Sequence, residues 1–397
     1  MDTNLKNSYD VIIAGAGPAG SSAAIRLAKA GMSILLIEQK RFPREKLCGE
    51  FISPECLIHF QELGVSPAIL AAGGTSLYDT DFYSRSGKAV SVRTEWFGKG
   101  ESPAIGLSRA EMDNLMVEQA KRIGVDVFDE TSVTGLLMEN AHVRGVKVKN
   151  KMGLETQIES SLTVDATGRT RSLARKLEAR DAKRSAAKYV AFKTHFRGAQ
   201  IKLGSCEIYV YRGGYGGCNQ VEDSLFNLCF IASAEDTKRL DSSAERIMRE
   251  LVFTNKRAKY AMEGAVVEKP WLAVPIERFG RGDLVPAKGL ITVGDSSAFI
   301  DPFTGSGILL ALESSKIVAN AIVNSRSIGL DLKMIEDSYR KNYAAAFDSR
   351  LRVCSWLRYA AFAPWLADAT IALLSVNSGL LRHVARATRV NPDPVIK

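Results

Sequence analysis

DVIIAGAGPAG, residues 10–20, places a short apolar run directly before a glycine-rich turn. Small residues follow at helical spacing over residues 23–31, and a second apolar run at residues 34–37 ends in Glu38. Strand, glycine turn, helix, second strand and terminal acid stand at the spacing of dinucleotide-binding βαβ units. The stretch therefore predicts a Rossmann-like α/β domain at the start of the chain.

The glycine turn is suited to hold a pyrophosphate. Gly15 makes the tight turn, Gly17 lets the phosphates approach the backbone, and Gly20 lets the helix pack close to the strand. The predicted helix begins around Pro18 and Ala19, and its first turn offers free N–H groups and a positive dipole end to an anion. We expect all five residues to belong to a cofactor site.

The acid at the end of the second strand selects among dinucleotides. Glu38 would accept hydrogen bonds from a ribose 2′-hydroxyl, whereas its charge would repel a 2′-phosphate. NADP is therefore disfavoured at this site, and FAD and NAD remain as alternatives. We expect Glu38 and the following residue, Gln39, to contact the cofactor.

Composition excludes several other classes of protein. The chain has 397 residues, 46% hydrophobic and 24% charged, which is typical of a folded protein with two or three domains. Four histidines and six cysteines without a CxxC pair do not predict a metal site. Residues 1–8 lack an apolar signal core, and the apolar stretch 369–381 is shorter than the about 20 residues that span a bilayer. We expect a cytoplasmic protein.

A second glycine-rich helix start lies far along the chain. Residues 289–295, GLITVGD, have the pattern of a strand ending in Gly-Asp, and residues 301–307, DPFTGSG, precede a helical pattern from about Ile308. With the first motif, these segments resemble the FAD-dependent oxidoreductases of the p-hydroxybenzoate hydroxylase fold, and among them the geranylgeranyl reductase-like branch. The resemblance covers about residues 9–345 and implies FAD as the cofactor.

The resemblance also implies how the later segments meet FAD. Asp295 would bind the ribityl chain, and the helix start at residues 305–307 would face the pyrimidine edge of the isoalloxazine. A helix N-terminus stabilises the negative charge that reduced flavin carries near N1. The implied cofactor contacts in this part of the chain are Gly294, Asp295, Pro302, Gly305, Ser306, Gly307 and Ile308.

Two shorter segments extend the resemblance. Residues 162–168, LTVDATG, are similar to a strand end beside the cofactor, which implies contacts from Asp165 and Gly168. Arg109 opens a predicted helix in residues 107–113, LSRAEMD, and is similar to an arginine that contacts FAD. The alternative for Arg109 is a solvated charge at a helix start.

Residues 43–50, PREKLCGE, resemble the Pro-Arg-x-Lys-x-Cys-Gly element of the reductase branch, which lies against the flavin. The resemblance implies that Lys46, Cys48 and Gly49 contact the cofactor. A thiol at Cys48 would lie over the ring and protonate a substrate carbon or steer its orientation, so Cys48 is the catalytic candidate. The alternative is a small buried hydrophobic residue.

The resemblance implies a discontinuous domain arrangement with three parts. These are an FAD-binding domain of residues 1–75, 101–180 and 281–345, an antiparallel β-sheet substrate domain of residues 76–100 and 181–280, and a helical C-terminal segment of residues 346–397. The glycine cluster at residues 213–217 lies between two predicted strands, and Tyr215 within it is the candidate substrate residue.

Basic residues account for the net charge of +9 and concentrate in two places. Residues 169–184 lack the interleaved aromatic side chains of a stacking platform, so nucleic acid is not an expected partner. Residues 346–397 combine aromatic side chains with arginines on helical segments. Two interpretations stay open for them: a cap packed on the protein, and a peripheral contact with a membrane surface.

Flavin supports two main reactions in this fold. A reductase transfers hydride to a double bond of a lipophilic substrate, and a monooxygenase transfers one oxygen atom to an aromatic or polyketide-like compound. Aromatic hydroxylases have an Asp-Gly pair where this chain has Thr167-Gly168, which favours the reductase. The alternatives are the monooxygenase and a flavin-binding membrane-surface module without turnover.

Other members of the fold differ from this chain at their substrate motifs. Archaeal lipid reductases carry Tyr-x-Trp-x-Phe-Pro, whereas residues 215–220 read YGGCNQ, so a C20 isoprenoid is not implied. Halogenases carry Gly-Trp-x-Trp-x-Ile-Pro, of which residues 271–276, WLAVPI, keep only part. The external electron donor, NAD(P)H or a reduced redox protein, is not indicated.

Overall fold

A computed structural model describes residues 6–97, 102–177, 186–277, 279–299, 305–326, 329–362 and 364–388. Its strands are β1 (Ser8–Ala14), β2 (Ile34–Ile37), β3 (Phe51–Ile52), β4 (Thr75–Leu77), β5 (Asp79–Tyr83), β6 (Ala89–Arg93), β7 (Ala104–Gly106), β8 (Asp126–Phe128), β9 (Thr131–Glu139), β10 (His142–Asn150), β11 (Glu155–Asp165), β12 (Tyr189–Arg197), β13 (Ser205–Tyr211), β14 (Gly214–Gln220), β15 (Phe226–Ser233), β16 (Val266–Val267), β17 (Leu272–Ile276), β18 (Gly280–Arg281), β19 (Leu290–Thr292) and β20 (Ala298–Phe299). Its helices are α1 (Pro18–Lys29), α2 (Cys56–Leu63), α3 (Ser66–Ala71), α4 (Arg109–Arg122), α5 (Ala234–Arg239), α6 (Ala244–Glu250), α7 (Lys256–Ala261), α8 (Gly307–Ser325), α9 (Leu332–Phe362), α10 (Pro364–Val376) and α11 (Ser378–Ala387).

The first sheet carries the nucleotide-binding motif. Its strand order is β8-β2-β1-β11-β10-β9, with β19 paired to β11, and the strands around β1 are parallel. Strand β1 is buried on both faces, as its continuous apolar sequence predicts. The glycine turn therefore lies at the carboxyl edge of the parallel strands, where ligands bind in open α/β sheets.

Helices α1, α8 and α9 cover one face of this sheet. The small residues of α1 allow α8 to approach closely, and the Ser315 hydroxyl donates a hydrogen bond of 2.7 Å to the Ser22 hydroxyl between the two helices. Among the described helices, only α8 is long and apolar enough to cross a membrane, and 61% of its apolar window is buried inside the protein. Burial of this kind is typical of a core helix.

The second sheet has the strand order β16-β12-β15-β14-β13-β5-β6, with β17 also paired to β12. Its pairs are antiparallel except for β5 and β13, which run parallel. Residues 214–217 of the glycine cluster belong to strand β14, and only Gly213 lies in the turn that connects β13 to it. A Cβ on Gly214 would lie 2.0 Å from the Ile231 carbonyl oxygen, so this strand needs glycine because its neighbour is so close.

Helix α9 crosses the boundary expected between residues 345 and 346. Tyr339, Tyr343 and Phe347 form one buried aromatic row along the helix, with ring centroids 5.6 and 4.6 Å apart. The row packs in the core of the first domain, so the helix continues without a break. The helical C-terminal segment consequently departs from the domain within α9.

Helices α10 and α11 pack on the second sheet. Ile371 and Leu381 join Val90 and Val92 of β6 in one hydrophobic cluster. In the described residues, the C-terminal segment is thus a cap, as one of the two sequence interpretations proposed. The predicted fold class, a Rossmann-like FAD-binding domain with a β-sheet domain and a helical C-terminal segment, is confirmed.

Candidate FAD and substrate site

A cavity of about 1,680 Å³ lies between the two sheets and extends under the C-terminal helices. It brings together most of the residues that the sequence singled out. Those that line it are Gly15, Gly17, Pro18, Ala19, Glu38, Gln39, Lys46, Cys48, Gly49, Arg109, Gly168, Tyr215, Asp295, Gly305, Ser306, Gly307 and Ile308.

Two guanidinium groups lie over the glycine turn. A Cβ on Gly17 would lie 3.6 Å from an Nη of Arg109 and 3.8 Å from an Nη of Arg44. Gly17 also precedes the first turn of α1, where no side chain caps the helix. Backbone N–H groups, a helix dipole and two arginines therefore converge on one small space, which is the arrangement that binds a pyrophosphate.

Buried carboxylates hold both arginines in place. Asp113 is fully buried and accepts a bidentate pair of hydrogen bonds of 2.8 Å from Arg109 on the preceding turn of α4. It also accepts one of 3.0 Å from Arg44, which in turn donates one of 3.1 Å to Glu38. Ser108 caps α4 through the Glu111 N–H and so fixes the turn that carries Arg109. Arg109 is not a solvated charge, because its side chain is only 11% exposed.

Glu38 closes the other end of the glycine turn. Its Oε2 accepts the Ala16 N–H at 3.2 Å, and its Oε1 accepts the Lys40 N–H at 3.1 Å. These bonds hold the carboxylate at the end of β2, facing the cavity where a ribose would lie. The positive charge of Arg44 partly neutralises Glu38. Sequence reasoning missed Arg44, although it belongs to the Pro-Arg-x-Lys-x-Cys-Gly element.

Three of the predicted cofactor residues act from behind the cavity wall. Asp165 is fully buried, and its carboxylate accepts hydrogen bonds from the loop that follows it and from the Ser296 hydroxyl. Such a satisfied carboxylate shapes the loop and cannot also bind a ligand. Packing requires glycine at the other two positions. A Cβ on Gly20 would lie 1.8 Å from the Gly15 carbonyl oxygen, and a Cβ on Gly294 would lie 2.8 Å from the Ala19 Cβ. Pro302 lies outside the described residues.

Charged side chains converge at the far end of the cavity. Burial raises the pKa of Asp295, although Arg169, Arg109 and Lys46 act in the opposite direction. None of the described residues donates a hydrogen bond to the Asp295 carboxylate, so it can accept one from a ligand hydroxyl. The start of α8 at Gly307 also faces the cavity, and within the described part of the chain its N-cap residue Ser306 makes no side-chain capping hydrogen bond.

Lys46 lies in a strongly cationic part of the cavity. Protein surrounds its ammonium group on most sides, although the side chain is open to the cavity. Burial and the positive charges of Arg44 and Arg109 lower the pKa of Lys46 to about 8. The ammonium group is thus charged at neutral pH and loses its proton in mildly alkaline solution.

We expect FAD to bind more weakly as the pH rises past 8. Protonated Lys46 attracts the anionic cofactor, and loss of a hydrogen bond to a charged group costs about 1.5 kcal/mol, or about tenfold in affinity. Titration of the apoprotein with FAD at pH 7 and pH 9 measures the change. In the Lys46→Met variant the affinity should be lower at pH 7 and nearly independent of pH. An equal pH dependence in the variant and the native protein would contradict the assignment.

Cys48 lines the cavity on the loop between β2 and β3. It is half-buried, and its sulfur accepts the Glu50 N–H at 3.4 Å. Beside it lies a buried cluster that sequence reasoning missed: Glu50, Lys193 and His195. The only signal for this cluster was a lysine and a histidine at alternate positions directly after the apolar run at residues 189–192.

One further part of the cavity is an apolar arm. Its floor is the inner face of the second sheet, and its roof is the cap of α10 and α11. The arm is lined by Phe82, Val90, Val92, Ile208, Val210, Ile371, Leu374, Leu381 and Val384. Tyr215 lies where the arm meets the flavin end and makes an edge contact with Phe362, with ring centroids 5.9 Å apart.

The residues present fit FAD along the whole wall. Glu38 suits the ribose, the turn at Gly17 suits the pyrophosphate, and Asp295 with the start of α8 suits the ribityl chain and the flavin edge. The apolar arm then remains for a second molecule.

Comparison with known proteins agrees with this geometry. A family model described as "FAD binding domain" matches residues 8–266. Among curated proteins, a digeranylgeranylglycerophospholipid reductase of Methanosarcina acetivorans is 28% identical, with 85% of this chain and 81% of the relative covered. One of Methanocella arvoryzae is 28% identical, with 81% and 79% covered.

Solved structures share the fold. A flavin-dependent brominase has a TM-score of 0.77 at 22% identity, with 96% of this chain and 93% of that chain covered. A geranylgeranyl bacteriochlorophyll reductase-like protein of Thermoplasma acidophilum has a TM-score of 0.72 at 20% identity, with 97% and 94% covered.

Proposed function

The chain belongs to the FAD-binding-domain family, and from this premise we propose that it reduces a carbon–carbon double bond of a lipophilic substrate. It is an FAD-dependent oxidoreductase. FAD, when bound and reduced, supplies a hydride, and an external reductant such as NAD(P)H or a reduced redox protein restores it. The remaining tasks of the reaction fall to the residues of the cavity.

The protein must hold the alkene and protonate one of its carbons. Cys48 lines the cavity, and in this proposal its thiol would give its proton to the carbon next to the one that receives hydride. The proton leaves sulfur as the new C–H bond forms, so a thiolate remains.

The apolar arm is the feature that supports a lipophilic substrate. It is continuous with the part of the cavity that Cys48 and Gly305 line, so a long apolar molecule can place one end at the flavin and the remainder under the cap. Its walls offer aliphatic and aromatic side chains and few charges. The curated relatives named as digeranylgeranylglycerophospholipid reductases support a lipid substrate. Because residues 215–220 lack the Trp and Phe-Pro of archaeal lipid reductases, the chain length of the lipid is left open.

The test is to identify the product. The purified flavoprotein is reduced with dithionite under anaerobic conditions and given unsaturated lipids, beginning with digeranylgeranylglycerophospholipid. We expect a product heavier by two hydrogen atoms for each double bond. A monooxygenase would instead leave the lipid unchanged and, with oxygen admitted, add one oxygen atom to an aromatic compound. That outcome would replace the reductase, and no product under either condition would leave only a flavin-binding module.

The cap also supports a contact with a lipid surface. One face of α10 lines the cavity, whereas Trp365, Leu373 and Val376 are exposed by 73%, 57% and 83%. Arg382 and Arg386 are exposed on the adjoining α11. Apolar side chains beside arginines favour an anionic membrane interface. Sedimentation with vesicles of anionic lipid should pull down the protein at low salt, and no binding to such vesicles would refute the contact.

A further inference from the structure

Three buried side chains of the second sheet hold the loop that carries Cys48. Lys193 Nζ donates to the Lys46 carbonyl at 3.2 Å, and Asn227 donates to the Cys48 carbonyl at 3.2 Å. A third donor, Asn219, bonds the Glu50 carbonyl at 3.3 Å. We call Lys193, Asn219 and Asn227 the carbonyl clamp; each is at most 1% exposed.

The bonded carbonyls alternate along the loop. Residues 46, 48 and 50 present every second carbonyl to one side, as an extended strand does. Their donors come from β12, β15 and β14, which are neighbours in the sheet. The loop is therefore bound through side chains to the floor of the substrate cavity.

Glu50 locks the end of the loop. Its carboxylate accepts hydrogen bonds from Lys193, from His195 Nε2 at 2.7 Å, and from the backbone N–H of Arg109 at 2.9 Å. Glu50 has a φ of +53°, which is unusual for a residue other than glycine. Such a backbone conformation persists only where the surrounding structure fixes it. The same carboxylate thus joins the Cys48 loop, the substrate sheet and the start of α4.

Stability alone does not explain this cluster. Burial of Lys193, His195 and Glu50 has a large desolvation cost, and apolar residues of similar size often stabilise a core at least as well. What the charged cluster adds is a defined geometry. Burial acts against the charged forms, yet the pKa of Glu50 is lowered and that of Lys193 is raised because each stabilises the charge of the other.

We infer that Lys193, Asn227 and Glu50 are positioning residues that fix Cys48 at the cavity wall, where the reacting end of the substrate would lie. The inference rests on the proposed function for the role of Cys48 in protonation. The placement of the loop does not depend on that role and can be measured separately.

The Lys193→Met variant tests the inference, because methionine retains length but removes the charge and the donors. In the holoenzyme we expect FAD to be retained, while the rate of Cys48 alkylation by iodoacetamide changes severalfold and the visible flavin spectrum shifts. Turnover of digeranylgeranylglycerophospholipid should fall about 10- to 100-fold in kcat with little change in KM, since a displacement of about 1 Å is that costly. Peptide mapping distinguishes Cys48 from the other five cysteines. Lys202→Met, at an exposed lysine paired with Asp79, is the control and should match the native protein.

A double substitution separates positioning from structure. If Lys193 acts through Cys48, then Cys48→Ala and Cys48→Ala/Lys193→Met should turn over equally, whereas a structural role would make the losses multiply. Asn227→Ala, which removes only the donor to the Cys48 carbonyl, provides a milder variant if Lys193→Met does not fold. Native alkylation rates and spectra in both variants would overturn the inference. Full turnover by Cys48→Ala would instead refute the proposed protonation. The alkylation rates would then be the test of whether the carbonyl clamp positions the Cys48 loop.

Discussion

The Gly17→Val protein should fold normally and purify without flavin. Gly17 has a φ of −79°, which valine adopts readily, and a Cβ there would meet its nearest neighbours at ordinary contact distances. The added side chain would project between Arg109 and Arg44, into the space that suits the pyrophosphate. We expect the Kd for FAD to rise at least about 100-fold, equivalent to about 2.7 kcal/mol.

The measurement is flavin absorbance per chain, followed by titration of the apoprotein with FAD. Gly17→Ala provides a graded control and should lose part of the affinity. Gly20→Val is the structural contrast, because its Cβ would collide with the Gly15 carbonyl oxygen and should lower the melting temperature of the apoprotein itself. Full flavin occupancy in Gly17→Val would show that the pyrophosphate lies elsewhere.

Replacement of Cys48 by alanine should leave a yellow, folded protein that has lost most of its turnover. The sulfur accepts a long hydrogen bond of 3.4 Å from the Glu50 N–H and lies near the Arg109 side chain, which Asp113 holds independently, so its removal costs little stability. A positioned general acid contributes about 100-fold or more to a rate. We therefore expect kcat to fall by at least about 100-fold, with the reduction of the flavin by its donor unchanged.

Cys48→Ser is the informative companion variant. A hydroxyl can bind the same neighbours but is a much weaker acid than a thiol, so partial recovery would indicate an orienting role and no recovery an acid role. Cys229→Ala serves as the control, since Cys229 also lines the cavity and burial raises its pKa to about 12. Native kinetics in Cys48→Ala would reduce this residue to packing.

The parts of the site that sequence predicts well are set by short-range spacing. Gly17 and Glu38 lie in one βαβ unit, whose geometry follows from local spacing alone. Asp295 and the start of α8 could be placed because a resemblance connected them to the first motif across the intervening chain.

The parts that sequence missed depend on register between distant strands. Lys193 reaches the Cys48 loop because β12 pairs with β15 so that Lys193 and Cys229 are opposite each other on the inner face. The glycines of β14 are typical of a turn in sequence. The structure explains them by the close approach of β15, which leaves no room for a Cβ at Gly214. Asp165 illustrates the converse: the resemblance implied a cofactor contact, whereas its carboxylate accepts hydrogen bonds from the loop that follows it.

Helix α9 has a consequence for how this protein can diversify. Because one uninterrupted helix enters the flavin domain and leaves it as the support of the cap, a residue inserted after Phe347 would turn everything beyond it by about 100° around the helix axis. Insertions at Asn377, between α10 and α11, would not have this effect. Relatives that accept bulkier or shorter molecules should therefore differ in length at that junction while keeping the length of α9 constant. A redesigned cap should therefore be joined to the protein at the same junction, where it would not disturb the FAD-binding domain.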